Sequence, residues 1–229
     1  MKKEMIGDVP GNVLGMLADL NHKLQHGTLT SEELGRFLKR ENPFSQKGID
    51  QILAEWQELY REDGIELDVS NLKIPEKKKG FDRLLVVAQG LKIQHAYDNC
   101  AKYFPCWKYT DKNLDEVVTK NDRDPSNGAY AIWVRDRVEA DKELKNLSAN
   151  NLESKNISGV TLLERIQHER KYYKETGKHL DIENWTLCSG SRSEGGDVPG
   201  VFWHGDRMYV PWCSPGAHDA HLRARAAVF

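Results

Sequence analysis

The 229-residue chain sets 33 Lys+Arg against 35 Asp+Glu, a formal charge of -2, with 39% hydrophobic and 30% charged residues. That balance argues against coating nucleic acid through bulk charge, although a local basic patch stays open. No apolar run approaches the roughly 18 residues of a membrane span, and the start, MKKEMIGDVPGN, lacks the apolar stretch of a secretory signal. The four cysteines are too sparse for the disulfide framework of a small secreted domain, so a soluble protein of the reducing cytoplasm, with no membrane partner, is expected.

From Asn12 the positions Val13, Leu17, Leu20 and Leu24 recur at helical spacing, and Gly27 suits the end of that helix. Thr30 followed by Glu33 is a capping box, opening a second helix with Leu34, Phe37 and Leu38 inward and a stop before Pro43. Ser45 then caps a third, carrying Ile49, Ile52, Leu53, Trp56, Leu59 and Tyr60, with Gly64 at its end. These three helices predict a helical unit over residues 1–75, a module for packing or for docking a protein partner. A DNA-reading helix-turn-helix fits poorly, because the third helix carries Glu55, Glu58, Glu62 and Asp63 where phosphates would lie.

Ile65, Leu67 and Val69 alternate as in a strand or extended connector, and the charged stretch 76–80 predicts a domain boundary. Residues 83–88 are a continuous apolar run, expected as a central strand. A helix follows with Ile93, Ala96, Tyr97, Cys100 and Tyr103 on one face, stopped by Pro105. Residues 106–109 suit a short strand or packed loop. The turn formers of 121–128 lead into an aromatic, β-branched strand over 129–135. Residues 139–147 read as a short exposed helix or turn. Thr161 and Glu164 form a second capping box, opening a helix that ends at Gly177. Its expected inward residues are Leu162, Leu163, Ile166 and Tyr173, with Arg165, His168, Glu169 and Arg170 around the rest. A strand over 185–188, a loop, a hairpin of 201–203 with 207–210 and a tail with Arg223 and Arg225 complete the chain. The expected architecture is α+β: the helical unit, then over 80–229 a mainly antiparallel sheet of four to six strands with two or three helices packed on it.

The strings NDRDPSNGAYAIWVRD, TLLERIQHERKYYKETGKHLD, NWTLCSGSR and LRARA resemble a group of uncharacterised bacterial proteins of unknown function, over about residues 80–226. The resemblance implies that this segment is a unit and carries no activity, cofactor or site residue with it. No phosphate-binding P-loop, dinucleotide fingerprint, zinc-protease, serine-hydrolase or kinase motif is present, and no cofactor is assigned.

Reactive groups concentrate in residues 184–210. Ser189, Gly190, Ser191 and Arg192 offer hydroxyls, backbone N–H groups and a planar fork of donors, the set that a phosphate, nucleotide or nucleic acid needs. Arg207 would add charge, as would Arg223, if the fold brings them near. The expected function is therefore non-enzymatic binding of an anionic or protein partner through the loop and hairpin of 189–207. The alternative is a small hydrolase or transferase with Cys188 as nucleophile, His204 or His179 as base and Asp197 or Asp181 orienting it. A metal set of Cys188, His204 and Cys213 requires the hairpin to fold back and lacks the short paired spacing of a structural zinc site. His218, Asp219 and His221 are a further ligand-capable group whose simpler reading is an exposed tail. Trp133, Trp185, Trp203 and Trp212 are core packing by default, or an aromatic platform if several face outward together.

Overall fold

The structure, a computed structural model, describes residues 11–38 and 48–229. The chain divides into two compact units, 1–48 and 49–229. In the first, α1 (Gly11–Gln25) is followed by Gly27 at φ 68°, and α2 (Ser31–Leu38) begins with the expected capping box. The Thr30 amide donates to Glu33 Oε2 at 2.7 Å, and the Glu33 amide to Thr30 Oγ1 at 3.1 Å. The stop before Pro43 and the Ser45 cap lie outside the described residues.

The second unit is α+β. Its first element, α3 (Ile49–Glu62), is the helix that the sequence pattern grouped with the two before it. It belongs here because Trp56, Leu59 and Tyr60 are fully buried in the main core. Trp56 Nε1 donates to Leu84 O at 3.1 Å, and the Tyr60 hydroxyl donates to Val86 O at 2.8 Å. Both carbonyls belong to β1 (Arg83–Val87), so α3 is tied to the strand expected to open a separate domain. The Lys77–Gly80 stretch is no boundary either. Trp133 Nε1 donates to Pro75 O at 2.9 Å, and Lys77 pairs with Asp82, so this segment lies packed along the same unit.

The remaining elements are α4 (Ile93–Ala101), β2 (Cys106–Lys108), α5 (Leu114–Val117), β3 (Val118–Asn121), β4 (Tyr130–Val134), α6 (Ala149–Ser154), α7 (Leu162–Thr176), β5 (Trp185–Leu187), β6 (Ser191–Ser193), β7 (Val198–His204), β8 (Arg207–Val210), β9 (Trp212–Cys213) and β10 (Leu222–Ala224). The largest sheet runs β10-β5-β7-β8-β2, with β9 also on β7. Its β7 pairings are antiparallel, whereas β10 runs parallel to β5 and β2 parallel to β8. Two antiparallel pairs, β1 with β4 and β3 with β6, complete the set. One face of the large sheet sends Cys188, Val201, Met208 and Val210 into the main core. The other sends Leu187, Val198, Leu222 and Ala224 into a smaller cluster with Leu144, Ala149 and Leu152.

Two sequence expectations change here, and a third is refined. Helix α7 is not amphipathic in the usual sense: residues 162–171, LLERIQHERK, are all buried, charges included. It packs against α3, α4, β1 and β7, so no side faces water over that span and each charge must find an internal partner. The C-terminal residues are not a tail, because β10 joins the sheet and Arg225 is buried. Within 139–147 the expected short exposed helix or turn is present as a 3-10 turn at Lys142–Leu144, with Lys142 and Glu143 exposed, but its approach is anchored inside. Ala140 and Asp141 are buried, and the Glu139 carboxylate accepts the backbone amides of Ile182, Glu183 and Asn184.

Candidate functional site

The loop between β5 and β6 is positioned by a close backbone approach. A Cβ at Gly159 would sit 1.9 Å from Ser189 Oγ, and one at Gly190 would sit 2.9 Å from Gly159 O. Only glycines allow these two chain segments to meet so closely. Hydrogen bonds then fasten the loop. Gly190 N donates to Val160 O at 3.1 Å, and Asp122 N donates to Gly190 O at 2.8 Å. Beyond it, β6 pairs with β3 so that Arg192 lies opposite Lys120.

This fastening consumes most of the donors expected to hold an anion. The amides of Ser189, Gly190 and Ser191 all donate to protein carbonyls, those of Leu187, Val160 and Cys188. The Ser191 hydroxyl is buried, accepting from Leu162 N at 2.9 Å and donating to Asn121 Oδ1 at 2.6 Å, which joins the start of α7 to β3. Ser189 Oγ is buried with no hydrogen-bond partner among the described residues. A backbone anion nest is therefore not formed, because a loop packed this tightly must satisfy its own amides. Arg207 does not join the loop. It sits on the β7–β8 hairpin, its guanidinium held by Asp206 next door with Nε to Oδ1 at 2.9 Å. Arg223 points its Nη1 toward Ala140 O instead.

What remains is a pair of cationic side chains at a cleft of about 500 Å³. Lys120 and Asp122 line it from the β3 side, Ser189, Gly190 and Arg192 from the loop and β6. Ala149, Leu152, Glu153, Asn156, Ile157 and Ser158 close it from α6 and the turn that follows. Arg192 Nη1 donates to the Ser189 and Ser191 carbonyls. Carbonyl partners orient the guanidinium without cancelling its charge, and its Nη2 has no partner among the described residues. The sequence reading found Arg192, Ser189 and Gly190 but missed Lys120, Asp122 and the α6 wall. The β3–β6 pairing that unites them joins residues some seventy positions apart. Helix α6 did leave a signal, since Ser148 and Asn151 cap each other, but with Asn rather than the usual Glu or Gln.

The catalytic alternative does not assemble. Cys188 is fully buried in the main core, and burial pushes its thiol pKa up despite the nearby Arg165 charge. A nucleophilic cysteine needs a low pKa and access. His204 is exposed at the hairpin and Asp197 in the turn before β7. No hydrogen bond joins either to Cys188 among the described residues. Of the other candidates, His179 places Nδ1 2.9 Å from Glu169 Oε1 and stacks on Trp203 at 3.3 Å. Asp181 is buried and accepts from Arg165, Thr186 and Arg225, and is thereby committed to the interior. Among the described residues no three His, Cys, Asp or Glu side chains are placed to hold a metal ion, so Cys188, His204 and Cys213 do not converge. No described helix is long and apolar enough to cross a membrane.

Trp203, Trp185 and Trp107 divide between the two faces of the large sheet. Trp203 turns inward onto His179, while Trp185, Phe202, Tyr209 and Trp107 form a row across the opposite face. Their rings stand against one another, Trp185 on Phe202 at 4.1 Å and 2°, so between neighbours the row presents edges rather than open faces. Comparison with protein-family models, curated proteins and solved structures finds no match for the chain.

Proposed function

We propose that the protein binds a small ligand bearing an anionic group, a phosphate or a carboxylate, in the cleft between α6 and the β3–β6 pair. The observation that carries this is the cross-strand pairing of Lys120 with Arg192 at one concave surface, with the Arg192 charge uncancelled by any carboxylate among the described residues. Two adjacent cations at a cleft attract an anion through charge-assisted hydrogen bonds. Asp122 and Glu153 share the cleft, which favours a ligand that also carries hydroxyl or amino donors, as nucleotides and phosphorylated sugars do.

The test is calorimetric titration with inorganic phosphate and with a nucleoside monophosphate at low salt. Wild-type protein is expected to bind the nucleotide, and Lys120→Ala and Arg192→Ala each to weaken it about tenfold. Arg207→Ala, on the distant hairpin, should leave the affinity unchanged. Absence of wild-type binding to either probe, or binding indifferent to both cleft substitutions, would overturn the proposal.

A further inference from the structure

A second cleft, of about 410 Å³, lies at the other edge of the smaller core cluster, lined by Trp185, Cys213, Leu222, His218, Asp219 and His221 among others. Phe202 covers one side of the Trp185 indole in a near-parallel stack and is not part of the cleft wall. The cleft therefore meets the indole away from that stacked face. Leu222, paired with Trp185 across β10 and β5, supplies apolar surface beside it. The walls thus suit a flat, apolar body of drug-fragment size.

The polar groups at the rim are of one kind. His218 Nδ1 lies 3.1 Å from Gly216 O, and His221 Nδ1 lies 3.3 Å from Glu183 O. A carbonyl only accepts, so in each neutral ring Nδ1 carries the hydrogen and Nε2 is left as an acceptor. Neither Nε2 has a partner among the described residues. Asp219 Oδ1 accepts the His221 amide at 2.7 Å, leaving Oδ2 and the negative charge for a ligand. The cleft therefore offers acceptors, one net negative charge and an indole.

We infer that this cleft binds a flat aromatic cation with N–H donors, the class of aryl amidines and protonated aminoheteroaromatics. The indole attracts the positive charge, Asp219 pairs with it, and the two imidazole Nε2 atoms accept its N–H groups. An anion of the same size would meet the Asp219 carboxylate and the two acceptor nitrogens at the rim, and is disfavoured. The selectivity is opposite in sign to that proposed for the Lys120–Arg192 cleft, and the two proposals stand on separate residues.

Benzamidine and benzoate, nearly isosteric and opposite in charge, test it by calorimetry together with NMR of the indole N–H resonances. Benzamidine should bind at millimolar concentration and shift the Trp185 indole signal, and benzoate should do neither. Asp219→Asn keeps an oxygen for the His221 amide but removes the charge, and is expected to weaken benzamidine about tenfold. Trp185→Leu should weaken it comparably, with thermal melts confirming that the variant is folded. Arg192→Ala should not change it. Equal binding of benzoate, no binding of benzamidine to wild type, or benzamidine binding indifferent to Asp219→Asn would each overturn the inference.

Discussion

Arg225 donates Nη2 to Asp181 Oδ1 at 2.7 Å, and both side chains are almost wholly buried. The same carboxylate takes Arg165 on Oδ2 and the Ala140 amide on Oδ1, at a residue whose own φ is 55°. It thereby ties α7, β10 and the segment after β4 to one point. Burial alone would raise the Asp181 pKa, but Arg225 and Arg165 outweigh it and hold the carboxyl below its usual range.

Replacing that carboxylate should therefore be severe. Asp181→Asn keeps the shape and tolerates the left-handed backbone, yet leaves the buried Arg225 guanidinium without its carboxylate and Arg165 with Glu169 alone. A loss of about 3–5 kcal/mol is expected in urea unfolding. Because the folded pKa is depressed, the stability that Asp181 contributes is complete above the ordinary carboxylate range and is lost as pH falls below about 4.

His168 predicts a pH effect in a different window. It is buried, with neither ring nitrogen partnered among the described residues. Burial first, then the charges of Arg225, Arg83 and Arg165, hold its pKa well below the ordinary imidazole value. As pH falls through about 6.5 the unfolded chain takes up a proton that the folded chain refuses, so stability should fall by about 1.4 kcal/mol per pH unit from this group. His168→Leu should be near neutral at pH 7, since no hydrogen bond is lost, and should flatten the unfolding free energy between about pH 6.5 and pH 5. An unchanged pH slope in that variant would remove His168 from the account.

Gly159 and Ser189 should be coupled. The Ser189 hydroxyl occupies the space that a Cβ at 159 would need, so Gly159→Ala should cost about 1–3 kcal/mol through overpacking. Ser189→Ala removes an unpartnered buried hydroxyl and should be neutral or mildly stabilising. The double variant should recover much of the loss, and denaturant unfolding of all four proteins gives the coupling energy. Additive costs would mean that the loop moves away instead.

The boundary is testable by truncation. A fragment covering 49–229 should melt cooperatively with native near-ultraviolet circular dichroism, whereas one covering 80–229 should not. The shorter fragment lacks Trp56, Leu59 and Tyr60, all fully buried. Losing large core side chains costs roughly 3–5 kcal/mol each, which together reaches the 5–15 kcal/mol by which a typical domain is stable. A folded 80–229 fragment would restore the boundary at the Lys77–Gly80 stretch.

Much of the local structure was legible from residue order alone, because its causes are local. Both glutamate capping boxes, the apolar strand of 83–87 and the αL glycines at 27, 64 and 177 need only neighbours a few residues away. The same holds for the α+β class, which follows from where the hydrophobic period changes. Helix α7 could not be read this way. Its run of charges looks solvent-facing, and partners supplied by distant segments, among them Asp63, Arg123 and Asp181, add to the pairs within the helix and allow it to be buried.

The candidate site divides along the same line. The sequence by itself singled out Arg192 with its Ser and Gly neighbours, because those residue types carry the chemistry wherever they fall. Tertiary structure decided which of those groups are free. It spent the Gly190 amide on Val160 and the Ser191 hydroxyl on Leu162 and Asn121, while the Ser189 and Ser191 amides turn back on the loop's own carbonyls, and it left Arg207 on the far hairpin. It also buried the Cys188 thiol and set Lys120 opposite Arg192 across β3 and β6. Hydrogen-bond capacity is finite, and whether a donor is used up depends on contacts between residues far apart in the chain.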